Sequence, residues 1–177
     1  MKKKTLALVL ALTLLVAGVV GGTLAWLTDQ TAEVKNTFTV GDINIGLTET
    51  TADYKMVPGN TIAKDPTVTV KANSEACWLF VKVTESTDLK DFITYAIAEG
   101  WTALPGVDGV YYREVPASAA DQTFSVLAGD AVTVKIDVTR TMLETAKTDA
   151  PTLTFQAYAI QKDHFTTADA AWAEVSK

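Results

Sequence analysis

Cys77 and His164 are the only cysteine and the only histidine in the chain, so they form the one pair that could act as a thiolate nucleophile and its imidazole base. Cys77 stands in the apolar run Cys77-Trp78-Leu79-Phe80-Val81, with Leu79, Val81 and Val83 on its expected strand face. That setting predicts a buried structural thiol rather than an activated one. His164 falls in a polar connection before the last apolar segment, where a solvated imidazole is expected. One histidine rules out an H-E-x-x-H zinc protease and any two-histidine metal site. The acidic residues form no D-x-D-x-D-G calcium loop. A pair of carboxylates working on a glycosidic bond stays open, although solvated strand faces account for the same residues. No glycine-rich phosphate loop and no G-x-S-x-G elbow is present. The expectation is a non-enzymatic chain without a cofactor or a metal.

Four tryptophans offer different chemistry: Trp26, Trp78, Trp101 and Trp172. Exposed aromatic rings, including Tyr111 and Tyr112, could serve as platforms for sugars. For Trp78, Trp101 and Trp172, packing within strands or between strand and helix is the expected role.

The chain has 177 residues, 48% of them hydrophobic and 20% charged, and a formal net charge of −6. This composition suits one domain that buries roughly 70% of its unfolded surface. With one cysteine, no internal disulfide can help. The first 25 residues carry three lysines and no acid. Trp26 to Lys177 therefore holds 12 basic and 21 acidic residues, a net −9. So acidic a body is not expected to bind nucleic acid, which takes a basic stripe.

The positive start Met1-Lys2-Lys3-Lys4 leads into the uncharged run Thr5–Val20, and Gly21-Gly22-Thr23-Leu24-Ala25 then breaks the helix. Thr23 and Ala25 stand three and one residues before a cut between Ala25 and Trp26, completing a secretory signal peptide over residues 1–25. The uncharged stretch Thr5 to Leu27 is just long enough to span a bilayer. The two glycines and the lack of a basic cluster after Leu27 favour cleavage, with no permanent membrane insertion afterwards.

From Asn36 onward period two dominates. Phe38 and Val40 share one face, and Ile43, Ile45 and Leu47 share another after Gly41. Val68 and Val70 alternate with threonines. Residues 77–80 are apolar on both faces, as in a central strand or one covered outside. Further strands are expected at Phe92–Ala98, Val110–Val115, Thr123–Leu127, Val132–Val138 and Leu153–Ile160, with turns at Pro58-Gly59, Pro105-Gly106 and Asp108-Gly109. Short helices are expected near Ser86, as N-cap, and over Thr166–Val175, where Thr166 and Asp169 have capping-box spacing and Trp172 lies against the sheet. Such a mainly β pattern predicts an antiparallel sandwich of jelly-roll or immunoglobulin-like type.

The blocks "GGTLAWLTD…NTFTVGDINIGLTE" and "YKMVPGNTIAKDPTVTVKANSEACWLFVKV", with "WTALPGVDGVYYREV" and "AYAIQ", resemble the TasA/camelysin family of Gram-positive secreted proteins. The resemblance implies a jelly-roll β-sandwich, removal of residues 1–25 by a SipW-type signal peptidase, and secretion to the extracellular matrix or cell surface. It also implies self-association into biofilm-matrix or surface fibres, in which the N-terminal arm of one subunit adds as a strand to the next. The arm, 26–36, leads into a single sandwich domain that completes 26–177. The free end after the cut, 26–40, is threonine-rich and free of proline and glycine, and Trp26, Leu27, Val34 and Phe38 are the candidate assembly residues. The alternative is a monomeric surface module that binds glycans or proteins.

Overall fold

A computed structural model describes residues 42–50 and 55–177, which belong to one compact unit, Val40–Lys177. Ten strands run β1 (Ile45–Thr48), β2 (Thr61–Ala63), β3 (Thr67–Val70), β4 (Cys77–Glu85), β5 (Ile93–Thr94), β6 (Thr102–Ala103), β7 (Val110–Val115), β8 (Gln122–Ser125), β9 (Ala131–Val134) and β10 (Leu153–Gln161). Three helices accompany them: α1 (Leu89–Phe92), α2 (Arg140–Ala146) and α3 (Ala168–Val175). The described chain is thus mainly β, and every ladder is antiparallel. The strands form three sheets in the orders β1-β3-β8, β10-β4-β7-β6 and β2-β9-β5.

The apolar run at residues 77–80 becomes the middle of the largest sheet, with β10 on one side and β7 on the other. Because strand side chains alternate, β4 serves two cores at once. Cys77, Leu79, Val81 and Val83 pack with Val68, Val70, Val115 and Val126. Trp78 and Phe80 point the other way, into a cluster with Val110, Leu104 and the helix residues Ala168 and Ala171. Trp172 of α3 lies over this face, 5.3 Å from the Phe80 ring and 5.2 Å from the Tyr158 ring between centroids. A third core gathers Leu89, Phe92, Val132, Val134, Val138 and Ala146 under the smallest sheet.

The turn that feeds β7 depends on one glycine. Gly109 has φ +72°, and its carbonyl accepts a hydrogen bond from Val83 N at 2.7 Å. A Cβ at Gly109 would stand 2.4 Å from Val83 O, so no side chain fits there.

Several elements differ from the sequence expectation. The cleanest alternation, Val132–Val138, is a strand only to Val134, and Ile136 is 82% exposed. In the register with β2, Ile136 would face Pro58, which has no N–H to give, and the Val57–Asn60 turn already bends that partner away. Phe92–Ala98 yields only the two residues of β5, because Leu89 and Phe92, three apart, bury the same side of α1. Ile97 retains a single bridge to Leu127. The N-cap of α1 is Asp88 rather than Ser86, whose hydroxyl instead donates to Asp88 Oδ1 at 3.0 Å. In α3 the cap is Thr167, which accepts from Ala170 N at 3.4 Å, so Thr166 and Asp169 form no capping box. The two expected helices become three among the described residues: α2 starts on Thr139, whose hydroxyl accepts from Met142 N at 3.3 Å, and it buries Ala146. Phe38 and Val40 lie outside the described residues.

Replacing Phe80, which is fully buried among aromatic rings, with alanine is expected to cost about 3–5 kcal/mol in urea unfolding. Ile136→Ser, at an exposed corner, should change stability by less than about 0.5 kcal/mol in the same assay.

Candidate functional site

The most distinctive surface feature is a long sheet edge. β10 pairs with β4 along its whole length, from Leu153 opposite Glu85 to Gln161 opposite Cys77. Among the described residues nothing pairs with its other side. Leu153-Thr-Phe-Gln-Ala-Tyr-Ala-Ile-Gln161 contains no charge, no proline and no glycine, so it lacks the usual devices that blunt an edge against further pairing. The other outermost described strands have at most four residues.

The edge of β1 lies beside that of β10. A cleft of about 300 Å³ between them is lined by Leu47, Glu49, Pro66, Leu153 and Phe155 among others. A second, of about 490 Å³, opens on the other side of Leu153 and Thr154, with Met56, Ile62 and Val132 in its wall. Lys64 stands between the two. Its side chain is buried, with Nζ 2.6 Å from Glu49 Oε1 and 5.4 Å from the centroid of the Phe155 ring. Asp65 ties down the end of β1: Thr50 donates its backbone N–H to Oδ1 at 3.0 Å and its hydroxyl to Oδ2. These two bonds hold the Asp65 carboxyl below its ordinary pKa.

The opposite flank is closed. Trp101 donates its indole N–H to Ser125 O at 2.8 Å, joining the start of β6 to the end of β8. The Arg113 guanidinium inserts between the sheets, 3.9 Å from the Phe124 ring centroid and 5.4 Å from that of Trp101. Burial pulls its pKa down, and its Nε has no hydrogen-bond partner among the described residues. An inward-pointing cation stacked on aromatic faces both fills this flank and discourages pairing there.

Ala25, Trp26, Leu27, Val34 and Phe38 lie outside the described residues. Trp78 is buried and donates to Phe165 O at 3.0 Å. Trp101 and Trp172 are half-buried in the contacts given above, and the Tyr112 ring packs on Trp78 and Phe80. Tyr111 is half-buried on the opposite face of β7. Cys77 is fully buried in the inter-sheet core, and burial pushes its thiol up to about 11, opposite to the shift that activates a nucleophile. His164 is exposed in the single turn Lys162–His164. Among the described residues no three His, Cys, Asp or Glu side chains gather as a metal site would require, and no helix is long and apolar enough to cross a membrane. The clefts beside β10 escape sequence reasoning because their walls come from β1, β2 and β10, joined only by the fold.

Compared with known protein families, characterised proteins and solved structures, the chain matches none.

Two outcomes follow for Cys77. A thiol reagent at pH 8 should leave the native protein unmodified while labelling it rapidly in urea. Because the folded thiol ionises later than its ordinary 9.0, the unfolded chain loses its proton first. This contribution to stability is complete below pH 9 and declines as pH rises toward 11, which alkaline unfolding of wild type and Cys77→Ala would reveal.

Proposed function

We propose that the chain is a secreted, non-enzymatic structural protein, a subunit of extracellular-matrix or surface fibres that assembles by N-terminal strand exchange. In this reading the body is an antiparallel β-sandwich of jelly-roll type. A SipW-type signal peptidase cuts between Ala25 and Trp26, and the freed arm, 26–36, pairs with the edge of another copy. The observation that carries the proposal is β10: nine uncharged residues with no partner among the described residues on one side, flanked by clefts able to take side chains. Strand addition needs both features, since backbone bonds supply affinity and pockets supply register. The sandwich assignment draws support from the core shared by the β1-β3-β8 and β10-β4-β7-β6 sheets. The arm is strand-competent, with Leu27 and Val34 as anchors, and the Gly21–Glu49 stretch resembles the TasA/camelysin family.

Mass spectrometry of the secreted protein should give a chain beginning at Trp26, and electron microscopy should show filaments. Deleting residues 26–36 is expected to leave soluble monomers with an unchanged unfolding midpoint. Thr154→Lys with Gln156→Lys, at exposed positions of β10, should do the same from the acceptor side. Filaments that persist in both variants, or a parent chain that stays monomeric at high concentration, would rule out this mode of assembly.

A further inference from the structure

A cleft of about 390 Å³, open to solvent, lies where the end of β4, β5, α1 and the chain after β9 converge. Leu89, Ile93 and Ile97 give it an apolar floor, and the rings of Tyr95 and Tyr111 lie in its wall. Its volume falls within the roughly 300–1,000 Å³ usual for ligand clefts. Two cations reach it from separate elements, Lys90 on α1 and Lys135 just past β9. Lys135 is held there by its own backbone, which donates to Phe92 O at 2.8 Å. Neither ammonium has an ion-pair or hydrogen-bond partner among the described residues. Their acidic sequence neighbours Asp91 and Asp137 do not line the cleft. In a body carrying a net −9, two unpaired lysines converging on one cleft stand apart from the general charge.

The single acid in the lining is Glu85, and it has a defined posture. Tyr95 donates its hydroxyl to Glu85 Oε1, and burial together with that bond raises the tyrosine pKa, so the phenol stays protonated and the pair intact through neutral pH. The bond leaves Glu85 with acceptor positions for a ligand's hydroxyl donors. A bare anion would be attracted by the lysines but would gain nothing from Glu85. A neutral sugar would use Glu85 and the tyrosine rings but not the charge of the lysines. A pyranose bearing a carboxylate uses all of them: the carboxylate on the ammoniums, hydroxyls on Glu85 and Thr94, and the apolar ring face on tyrosine.

We propose that this cleft binds acidic polysaccharide through a uronic-acid unit, held by Lys90 and Lys135 and oriented by Glu85, Tyr95 and Tyr111. The proposal does not rest on strand exchange and goes beyond it, giving each subunit a carbohydrate contact of its own in a cleft that shares Leu89 and Ile93 with the one beside Leu153 and Thr154.

Isothermal titration of the mature protein with a galacturonic-acid tetramer, its carboxyl-reduced neutral counterpart and inorganic phosphate tests the proposal. The acidic tetramer should bind, while the neutral one and phosphate should each bind at least about tenfold more weakly. Lys90→Gln with Lys135→Gln should weaken the acidic tetramer by about tenfold or more, and Lys90→Arg with Lys135→Arg should retain it. Glu85→Gln and Tyr111→Leu should each lower affinity for the tetramer without raising that for phosphate. The proposal is overturned if the neutral tetramer binds equally well, if phosphate binds as tightly as the acidic tetramer, if the double glutamine variant binds as the parent does, or if nothing binds at millimolar concentration.

Discussion

Everything in the described fold leans on the burial of β4 from two directions. A strand with one wet face needs only alternating apolar residues, whereas Cys77 to Val81 are buried without interruption. Such a strand is stable only if a second layer covers the face that a simple sheet would leave in water. Sheet β1-β3-β8 covers Leu79 and Val81, and α3 covers Trp78 and Phe80. The register with β10 and β7 then follows. Slipping either neighbour by one residue would exchange its core-facing and α3-facing side chains across the whole sheet.

That central strand also decides where the molecule is exposed. Its neighbour β10 inherits its full length, and so it becomes a long edge rather than a short, self-limiting one. The two flanks between the larger sheets have opposite chemistry. Where β8 approaches β6 and β7, an indole hydrogen bond and a stacked guanidinium seal the gap. Where β1 approaches β10, Lys64 neutralises Glu49 beside Phe155, and cavities remain on both sides of Leu153. In the proposed strand exchange, the second flank is the acceptor.

How much of this was legible beforehand depended on how local each signal was. β3, β7 and β10 lie within a residue of their expected positions, because each pairs along its own alternation with a full-length neighbour. The run after Val134 failed although its alternation was the cleanest, since a strand also needs a partner and Pro58-Gly59 removes it. α2 was missed because Met142, Leu143 and Ala146 make too narrow an apolar stripe, though Thr139 as N-cap and the Met142–Ala146 spacing were readable signs. The clefts were invisible for another reason. Leu47, Lys64 and Phe155 are neighbours only through strand order, and no spacing along the chain encodes that. The cleft joining Lys90 and Lys135 is hidden in the same way, since its two cations are 45 positions apart.

The inequality of the two flanks has a consequence for symmetry. A contact in which identical patches meet closes on itself after two copies. In strand exchange, one region of a subunit gives and a different region receives, so the contact is heterologous and leaves a free donor and a free acceptor after every addition. Arg113 and its aromatic neighbours withdraw the other flank, where β8 approaches β6 and β7, from that role, which among the described residues leaves each copy one acceptor flank between its larger sheets. Chains of copies built this way cannot branch through their sheets. They have a direction, and their two tips differ chemically, one presenting an unfilled edge and the other an unpaired arm.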